Sequence, residues 1–593
     1  MKTIRILALL AIASLAARCT GVEPGTALFT PLEYATTNEP GVPDGYYRNP
    51  IIPGFYPDPS ICRVGDDYWM VNSSFAYFPG LPVWHSTDLI HWESCAPALS
   101  RSQDFFLAPP DNIVTGSYAP QITYNPANGL YYIINTYVNG YWNFFITSPD
   151  PASGRWSEPV LLPEVPGIDP SILFDNDGRA YIISAAGRDA VGETKQYDNE
   201  NAIVLFDFDW ENGVTGERTI IARSGVHPEE QPNAIEGPHL YHIGDKYFLM
   251  CAEGGTELGH SEVIFEATSA KGPYTPCPIN PILTQRDVPD ADVRCTGHAD
   301  LVQSASGDWY AVFLGTESYE GEYNFNTGRQ TFLLPVTWTD GQPVILPAGE
   351  KVQTQVPLTE DLKSLGAANR IKGVDTRRPG PLWNGRQGLS DMTLFIRNPV
   401  SGSLKGLSWK NGAVGSEDFD FNEGRLDGPF WHVRRNGKME LRPKDVSIRI
   451  EDNPSAVCQR ITSKTFTMTT TMTFDPQGAG DAAGLLLYQN QDNLMTFSKT
   501  MDSSGDVVMA LEEVVGGKTT KLFSEKLSQK ESSRPVSLKV EAETAVDYVF
   551  SLSFDGGKNW CRIGEPLDGH TIKSSYYWGF TGAVAGVYAF TDK

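Results

Sequence analysis

One pattern of apolar and polar residues recurs five times between positions 58 and 312. Each copy contains an initial anchor residue, a short apolar strand, a turn of Gly, Asp or Asn, and an aromatic-rich strand. The anchors are Asp58, Ala119, Asp169, Glu236 and His298, at spacings of 61, 50, 67 and 62 residues. Such spacings suit one four-stranded sheet per copy, so the repeat predicts a five-bladed β-propeller over residues 49–350.

The pattern changes twice after the predicted propeller. Residues 351–416 are rich in Arg, Gly and Pro, which predicts a linker that packs along the propeller. Residues 417–593 contain short alternating strands, such as 466–472 and 484–488, separated by Gly-containing turns. This last segment predicts a β-sandwich, and the fold class of the whole chain is therefore all-β.

The first 19 residues predict a targeting segment. Two basic residues precede an apolar stretch at 6–17, which is too short to cross a bilayer but typical of a signal sequence. The sequence LAARC at 15–19 resembles a bacterial lipoprotein signal, although Arg18 stands where that pattern has a small residue. We expect export to the periplasm or, with a lipid anchor at Cys19, to the outer membrane of a Gram-negative bacterium.

Composition narrows the class of ligand. The chain has 593 residues and a formal net charge of −25, which argues against nucleic acid and anionic membranes as partners. Beyond Cys19 there are seven cysteines and no C-x-x-C pair, so neither a disulfide scaffold nor a zinc site is expected. A neutral or cationic ligand is favoured.

Three of the five anchors are acids: Asp58, Asp169 and Glu236. One Asp-Pro-Ser sequence alone would indicate only a turn. The first strand of each blade lines the central axis of a propeller, so we expect the three carboxyls to share one register and to converge. Two carboxyls across a pocket suit glycoside hydrolysis, and a third raises the pKa of the proton donor.

The sequence NPIIPGFYPDPS at 49–60 closely resembles the opening of glycoside hydrolase family 43. Further family motifs follow in order: GIDPS at 167–171, IEGP at 235–238, AEGGT at 252–256, GHAD at 297–300 and GRQTF at 328–332. Residues 418–593 look like the concanavalin-like sandwich of its β-xylosidase-like members. The resemblance covers about nine-tenths of the chain.

The resemblance implies a role for each acid. Asp58 corresponds to the general base that activates water, Glu236 to the general acid, and Asp169 to the acid that modulates the pKa and orientation of the donor. The family inverts configuration, so a separation of about 6.5–9.5 Å between base and acid is expected. A retaining enzyme would instead require about 5–5.5 Å.

The resemblance also suggests substrate-binding residues. Arg329 matches an arginine that binds sugar hydroxyls near the base. His298 could contact substrate, hold a structural calcium or its waters, or be a core histidine. Phe75 resembles an aromatic wall of the sugar subsite, with core packing as the alternative, and Tyr118 stands where many relatives have Trp. Phe580 lies on a sandwich loop that closes the pocket in relatives, which implies exo attack.

The resulting hypothesis is an exported, inverting, exo-acting glycosidase. It would release terminal α-L-arabinofuranose or β-D-xylose from plant cell-wall oligosaccharides such as xylan, arabinoxylan or xyloglucan fragments. No cofactor is expected to be required, and a structural calcium near His298 is an option. The alternative is a non-catalytic carbohydrate-binding propeller lipoprotein. The sandwich is expected to brace or cover the propeller rather than bind polysaccharide, since it has no run of exposed aromatics.

Overall fold

The computed structural model describes residues 24–77, 80–99, 113–138, 142–321, 323–367, 393–394, 419–420, 425–426, 431–434, 436–450 and 454–592. The predicted signal segment with Cys19, and most of the predicted linker, lie outside the described residues. Within these ranges the chain is almost entirely β-structure, as predicted. No helix among them is long and apolar enough to span a membrane.

Five antiparallel sheets, here called sheets I to V, follow one another in the described part of residues 60–344. Sheet I contains Ser60–Val64, Asp67–Val71, Val83–Ser86 and Glu93–Ser94. Sheet II contains Gly116–Asn125, Leu130–Val138, Trp142–Ser148 and Val160–Leu161. Sheet III contains Ile168–Phe174, Ala180–Gly187, Asn201–Asp209 and Val214–Arg223.

The last two sheets follow the same plan. Sheet IV contains Glu236–Ile243, Lys246–Glu253, Ser261–Ala267 and Thr275–Pro276, with Leu283–Thr284 also paired to its third strand. Sheet V contains Val293–Gln303, Trp309–Glu317, Gln330–Thr339 and Gln342–Val344. The first strands of successive sheets contact one another, and that of sheet V contacts that of sheet I, so the ring is closed.

A buried carboxylate, Asp300, supports this closure. Its Oδ2 accepts hydrogen bonds from Ser60 Oγ at 2.7 Å and from the Ile61 backbone N–H at 2.9 Å, both in sheet I. Its Oδ1 accepts from Tyr241 Oη of sheet IV at 2.6 Å. One side chain of sheet V therefore ties together the innermost strands of three sheets, which fixes where their neighbouring residues lie.

The C-terminal part is a sandwich of two antiparallel sheets. The first contains, in spatial order, Trp431–Val433, Met439–Leu441, Ala27–Phe29, Phe466–Thr473, Val536–Ala542, Asp547–Ser553 and Cys561–Asp568. Glu33–Thr36 also pairs with Phe466–Thr473. The second contains Thr393–Leu394, Ser455–Arg460, Val584–Phe590, Ala482–Asn490, Asn493–Met501, Val507–Val515 and Lys518–Lys526. The sandwich thus includes strands from residues 27–36, far outside its predicted range.

The alternation of buried and exposed side chains along the strands explains why these sequences form a sandwich. Along Phe466–Thr473 every second side chain is buried (Phe466, Met468, Thr470 and Met472), while those of Thr467, Thr469 and Thr471 are partly exposed. A strand with this period of two places one face on a core and the other towards solvent. The buried face packs with residues of the second sheet, such as Leu485 and Phe497, in one core cluster.

Residues 351–367 of the predicted linker lie on the propeller, whereas Thr393–Leu394 pairs with the sandwich strand Ser455–Arg460. Gln355–Pro357 pairs with Tyr46–Arg48. The following helix, Glu360–Ser364, places Asp361 Oδ2 2.9 Å from Tyr310 Oη, which donates to it from sheet V. The remaining helices of the described residues are short: Pro151–Ser153, Arg188–Val191, Pro228–Glu230, Gln529–Ser532, Gly569–Ile572 and Tyr576–Gly579.

Candidate active site

A repeated β-bulge creates the site. In sheet III, Ile168 pairs with Ala185 but Ser171 pairs with Ile183, so the register shifts within the innermost strand. Sheets II, IV and V have the same shift, and sheet I has the corresponding residue just before its first strand. The bulge residue has positive φ in all five: Asp58 (+52°), Ala119 (+24°), Asp169 (+53°), Gly237 (+55°) and His298 (+52°). Bulges of this kind re-aim side chains next to active sites.

The expectation that Glu236 shares the register of the two aspartates is wrong by one residue. Glu236 pairs with Ala252 at the position that Ile168 occupies opposite Ala185, and Gly237 takes the bulge position. The left-handed conformation and the close approach of His298 favour glycine there. The carboxyls of Asp58, Asp169 and Glu236 nevertheless interact electrostatically, so the convergence itself is present.

Asp58 is buried and held by two hydrogen-bond donors. Ser73 Oγ donates to Asp58 Oδ2 at 2.5 Å, and Arg329 Nη1 donates to Asp58 Oδ1 at 3.0 Å. The Ser73 hydroxyl itself accepts from the Ala119 N–H at 2.7 Å, so its only proton points to the carboxylate. Both donors favour a charged carboxylate in a fixed orientation, as a general base requires.

The surroundings of Glu236 and Asp169 raise the pKa values of both carboxyls. Burial, followed by the charge of Asp58, raises the pKa of Glu236 from 4.5 to about 7, while Arg329 lowers it in part. Burial, followed by the charges of Glu236 and Asp58, raises the pKa of Asp169 well above its ordinary value. Asp169 Oδ2 accepts the Gly237 N–H at 3.1 Å, next to the general-acid candidate. A carboxyl that keeps its proton near neutral pH can act as a general acid.

Arg329 joins the base to the aromatic part of the site. Besides Asp58, its Nη1 donates to Thr256 Oγ1 at 3.0 Å, and its Nη2 donates to the Phe580 carbonyl at 3.4 Å. The guanidinium carbon lies 5.7 Å from the Phe75 ring centroid and 5.2 Å from that of Phe580. The buried Nε has no hydrogen-bond partner in the described residues. A planar donor in this position can bind sugar hydroxyls beside the base.

The three aromatic candidates are in contact. Phe75 and Phe580 stack with centroids 6.0 Å apart and planes 19° apart, and Tyr118 meets each ring edge-on, at 5.2 and 6.0 Å. Phe75 is buried, whereas Tyr118 and Phe580 are partly exposed. Phe580 comes from the sandwich and the other two from the propeller. The wall of the site is thus assembled from both domains.

His298 faces the base from sheet V. Its Nδ1 lies 3.7 Å from Asp58 Oδ1, and burial lowers its pKa to about 4, so the imidazole is neutral near pH 7. No group of three or more His, Cys, Asp or Glu side chains in the described ranges is arranged to hold a metal ion. A structural calcium near His298 stays a prediction.

Sequence reasoning missed three contributors to the site. Ser73 and Thr256 position the base and Arg329, and Gly237 donates its N–H to Asp169. Thr256 ends the quoted motif AEGGT, whereas Ser73 lies in the sequence Asn-Ser-Ser, two residues before the candidate Phe75. Their contacts span up to 73 residues along the chain, and no local pattern indicates such pairs.

A carboxylate held by a serine and an arginine, beside two carboxyls whose pKa values are raised and an aromatic wall, defines the site of a glycoside hydrolase. Comparison with known proteins agrees. The chain belongs to the glycosyl hydrolases family 43, whose profile matches residues 47–343. A second profile, the beta xylosidase C-terminal concanavalin A-like domain, matches residues 416–593. The predicted family, fold class and glycosidase activity are thereby confirmed, and the non-catalytic alternative is not favoured.

Similar proteins span nearly the whole chain. The non-reducing end alpha-L-arabinofuranosidase BoGH43B of Bacteroides ovatus is 33% identical, over 92% of this chain and 91% of its own length. A putative beta-xylosidase of Escherichia coli K12 is 29% identical, over 91% and 95%. The crystal structure of a GH43_12 protein retrieved from a capybara gut metagenome covers 96% of this chain and all of its own, with a TM-score of 0.80 and 31% identity.

Proposed function

We propose that this glycosidase is an inverting, exo-acting enzyme that removes terminal α-L-arabinofuranose or β-D-xylose from hemicellulose oligosaccharides. The observation that carries the mechanism is the difference between its carboxyls. Asp58 is held as a charged acceptor by Ser73 and Arg329, whereas the pKa of Glu236 is raised to about 7. The names of the arabinofuranosidase and β-xylosidase relatives support the two sugars.

In the proposed reaction, Glu236 donates its proton to the glycosidic oxygen as the bond to the anomeric carbon breaks. Asp58 accepts a proton from a water molecule, whose oxygen bonds to the same carbon from the opposite face of the sugar. Burial and the charge of Asp58 raise the pKa of the donor, while Asp169 orients the donor segment by accepting the Gly237 N–H. A base-to-acid separation of about 6.5–9.5 Å, rather than the shorter retaining distance, remains part of the proposal.

The exo mode rests on the position of Phe580. This sandwich residue stacks on Phe75 and its carbonyl accepts from Arg329, so the sandwich closes one side of the pocket beside the base. A pocket closed in this way accepts a chain end. Export to the periplasm or, through a lipid at Cys19, to the outer membrane completes the proposal, since plant cell-wall oligosaccharides are extracellular.

The test is hydrolysis of paired aryl glycosides, an α-L-arabinofuranoside and a β-D-xyloside, with the product anomer followed by NMR. We expect wild-type turnover with inverted product, and a loss of at least about 100-fold in kcat/KM on a natural oligosaccharide in Glu236→Gln, because general-acid catalysis is worth about that much. The ratio of the two wild-type rates identifies the preferred sugar. A retained anomer, or kcat/KM on the natural oligosaccharide unaffected in the variant, would contradict the mechanism.

A further inference from the structure

Trp578 has an unusual position on the sandwich loop that reaches the site. It lies in the short helix Tyr576–Gly579, and 59% of its surface is exposed, more than for any other large apolar side chain of the described residues. Its φ is +58°, a conformation that bulky residues rarely adopt. An exposed indole on a strained backbone gains nothing for the core, so its position requires another explanation.

The propeller holds this strained segment in place. Tyr323 Oη donates a hydrogen bond to the Trp578 carbonyl at 2.9 Å. The next residue, Gly579, lies so close to the propeller that a Cβ atom on it would be 2.7 Å from Phe325 Cζ. Backbone strain of this kind persists only where surrounding contacts enforce it, and such positions are common at ligand clamps. Trp578 is therefore presented rigidly, although its ring faces solvent.

A series of rings connects Trp578 to the catalytic base. Its ring centroid lies 6.1 Å from that of Phe580, which stacks on buried Phe75 and contacts the Arg329 guanidinium. Arg329 in turn donates to Asp58. Along this series exposure increases outward: Phe75 is buried, Phe580 is half-buried and Trp578 is mostly exposed.

We infer that Trp578 is a binding platform for the leaving-group sugar, the pyranose residue of the oligosaccharide from which the terminal sugar is cleaved. The inference rests on the proposed exo mode: the terminal sugar occupies the pocket walled by Phe75 and Phe580, and the rest of the chain extends towards solvent past Trp578. The apolar C–H face of a pyranose packs on an aromatic face without needing any charge. Trp578 is thus a specificity residue for the leaving group.

The test compares two substrates that share the terminal sugar. One is a natural oligosaccharide, and the other is the glycosyl fluoride of the same sugar, whose leaving group has no ring to stack. In Trp578→Ala we expect kcat/KM on the oligosaccharide to fall about tenfold and that on the fluoride to stay within about twofold. Trp578→Phe keeps an aromatic face and should restore most of the loss.

The matched control is Trp338→Ala. Trp338 is also partly exposed, but it lies one residue from the far end of the strand Gln330–Thr339, which begins beside Arg329. We expect Trp338→Ala to leave kcat/KM unchanged on both the oligosaccharide and the fluoride. Equal losses on both substrates in Trp578→Ala, or none on the oligosaccharide, would overturn the inference. Wild-type protein that hydrolyses neither substrate would instead contradict the proposed function, so the two failures are distinguishable.

Discussion

At the scale of single residues, three acids of the same chemical type have different hydrogen-bond partners and different electrostatic surroundings. Asp58 receives two hydrogen bonds, from Ser73 and Arg329, that stabilise its charge. Glu236 has no such donor in the described residues and lies within the field of Asp58. The difference arises from contacts rather than from the acids themselves, which is how one site can contain both a base and an acid.

The raised pKa of Glu236 predicts a pH-dependent stability difference. Its folded-state pKa is about 7 against an ordinary value of 4.5, so the wild-type free energy of unfolding falls as pH rises between these values. The Glu236→Gln variant has no proton to lose there. We expect it to be more stable than wild type by about 2 kcal/mol at pH 8, and equally stable at pH 4.5.

Urea denaturation at the two pH values measures this difference. The figure of about 2 kcal/mol is smaller than the full pKa shift implies, because Glu236 keeps partial access to solvent. A stability difference that is the same at pH 4.5 and pH 8 would show that Glu236 is not the titrating group.

The three acids of the site could be predicted from the sequence, but the contacts that hold them in place could not. Asp58, Asp169 and Glu236 were found because acids recur at the start of repeated strands. Ser73 was missed because its role depends on the Ala119 N–H, 46 residues away, which fixes the direction of its hydroxyl. Serine is common in loops, so residue type alone indicates nothing about such a contact.

At the scale of elements, the bulge at the start of each innermost strand is the feature that produces the site. Four of its five positive-φ positions are occupied by residues with a Cβ, and the exception is Gly237. The Gly237 position adjoins the His298 ring, where a Cβ atom would lie 2.9 Å from Nε2. Glycine there gives the close approach of sheets IV and V around the acids.

Substitution of this glycine should damage both stability and activity. For Gly237→Ala we expect a loss of about 3 kcal/mol in the free energy of unfolding, from backbone strain together with the clash against His298. We also expect a fall of at least tenfold in kcat/KM, since the N–H that orients Asp169 must move. Thermal unfolding and steady-state kinetics measure the two effects.

Gly244→Ala is the control from the other end of the same hairpin. Gly244 also has positive φ, +66°, but a Cβ there meets nothing within 4 Å. We expect a cost of about 1 kcal/mol and unchanged kcat/KM. Equal effects of the two substitutions on activity would mean that the bulge does not position the acids.

Elements were predictable where their pattern is long and repeated. The apolar strand, turn and aromatic strand of each repeat correspond to the first hairpin of each sheet. The bulge inside the first strand was not predicted, because a one-residue shift leaves the composition unchanged, and Glu236 was consequently assigned to the wrong register. Strands Ala27–Phe29 and Glu33–Thr36 were also missed, since three or four residues are too few for alternation to be recognised.

At the scale of the whole molecule, the propeller and the sandwich share one tightly packed interface. Gly582 lies so close to the propeller that a Cβ atom there would be 2.7 Å from both Phe55 Cβ and the Thr327 carbonyl oxygen. The Ala583 N–H donates to the Asn326 carbonyl at 2.9 Å, and Arg460 Nε donates to the Phe55 carbonyl at 2.8 Å. This packing fixes Phe580, two residues before Gly582.

Because Gly582 is tightly packed in this interface, we expect Gly582→Ala to reduce activity although Gly582 is not a catalytic residue. The added methyl group must displace the sandwich loop or the propeller backbone, at a cost of about 1–3 kcal/mol. Because Phe580 moves with the loop, we expect at least a fivefold fall in kcat/KM and little change in secondary structure by circular dichroism.

Gly41→Ala provides the comparison for Gly582→Ala. Neither glycine requires a left-handed backbone, and a Cβ at Gly41 meets nothing within 4 Å. Unchanged kinetics are expected for Gly41→Ala. If Gly582→Ala were equally silent, the wall formed by Phe580 would not depend on the packing of the two domains.

The pairing of the sandwich strands also determines when the enzyme can be completed during its synthesis. Ala27–Phe29 pairs with strands that the ribosome adds more than 400 residues later, and Val584–Phe590 lies between Ser455–Arg460 and Ala482–Asn490 rather than at a sheet edge. At about 5–20 residues per second, the first strands wait at least about 20 seconds for these partners. Phe580 is translated just before the strand that closes the sandwich. A chain that stops before Phe580 would therefore have a propeller without this part of its pocket wall.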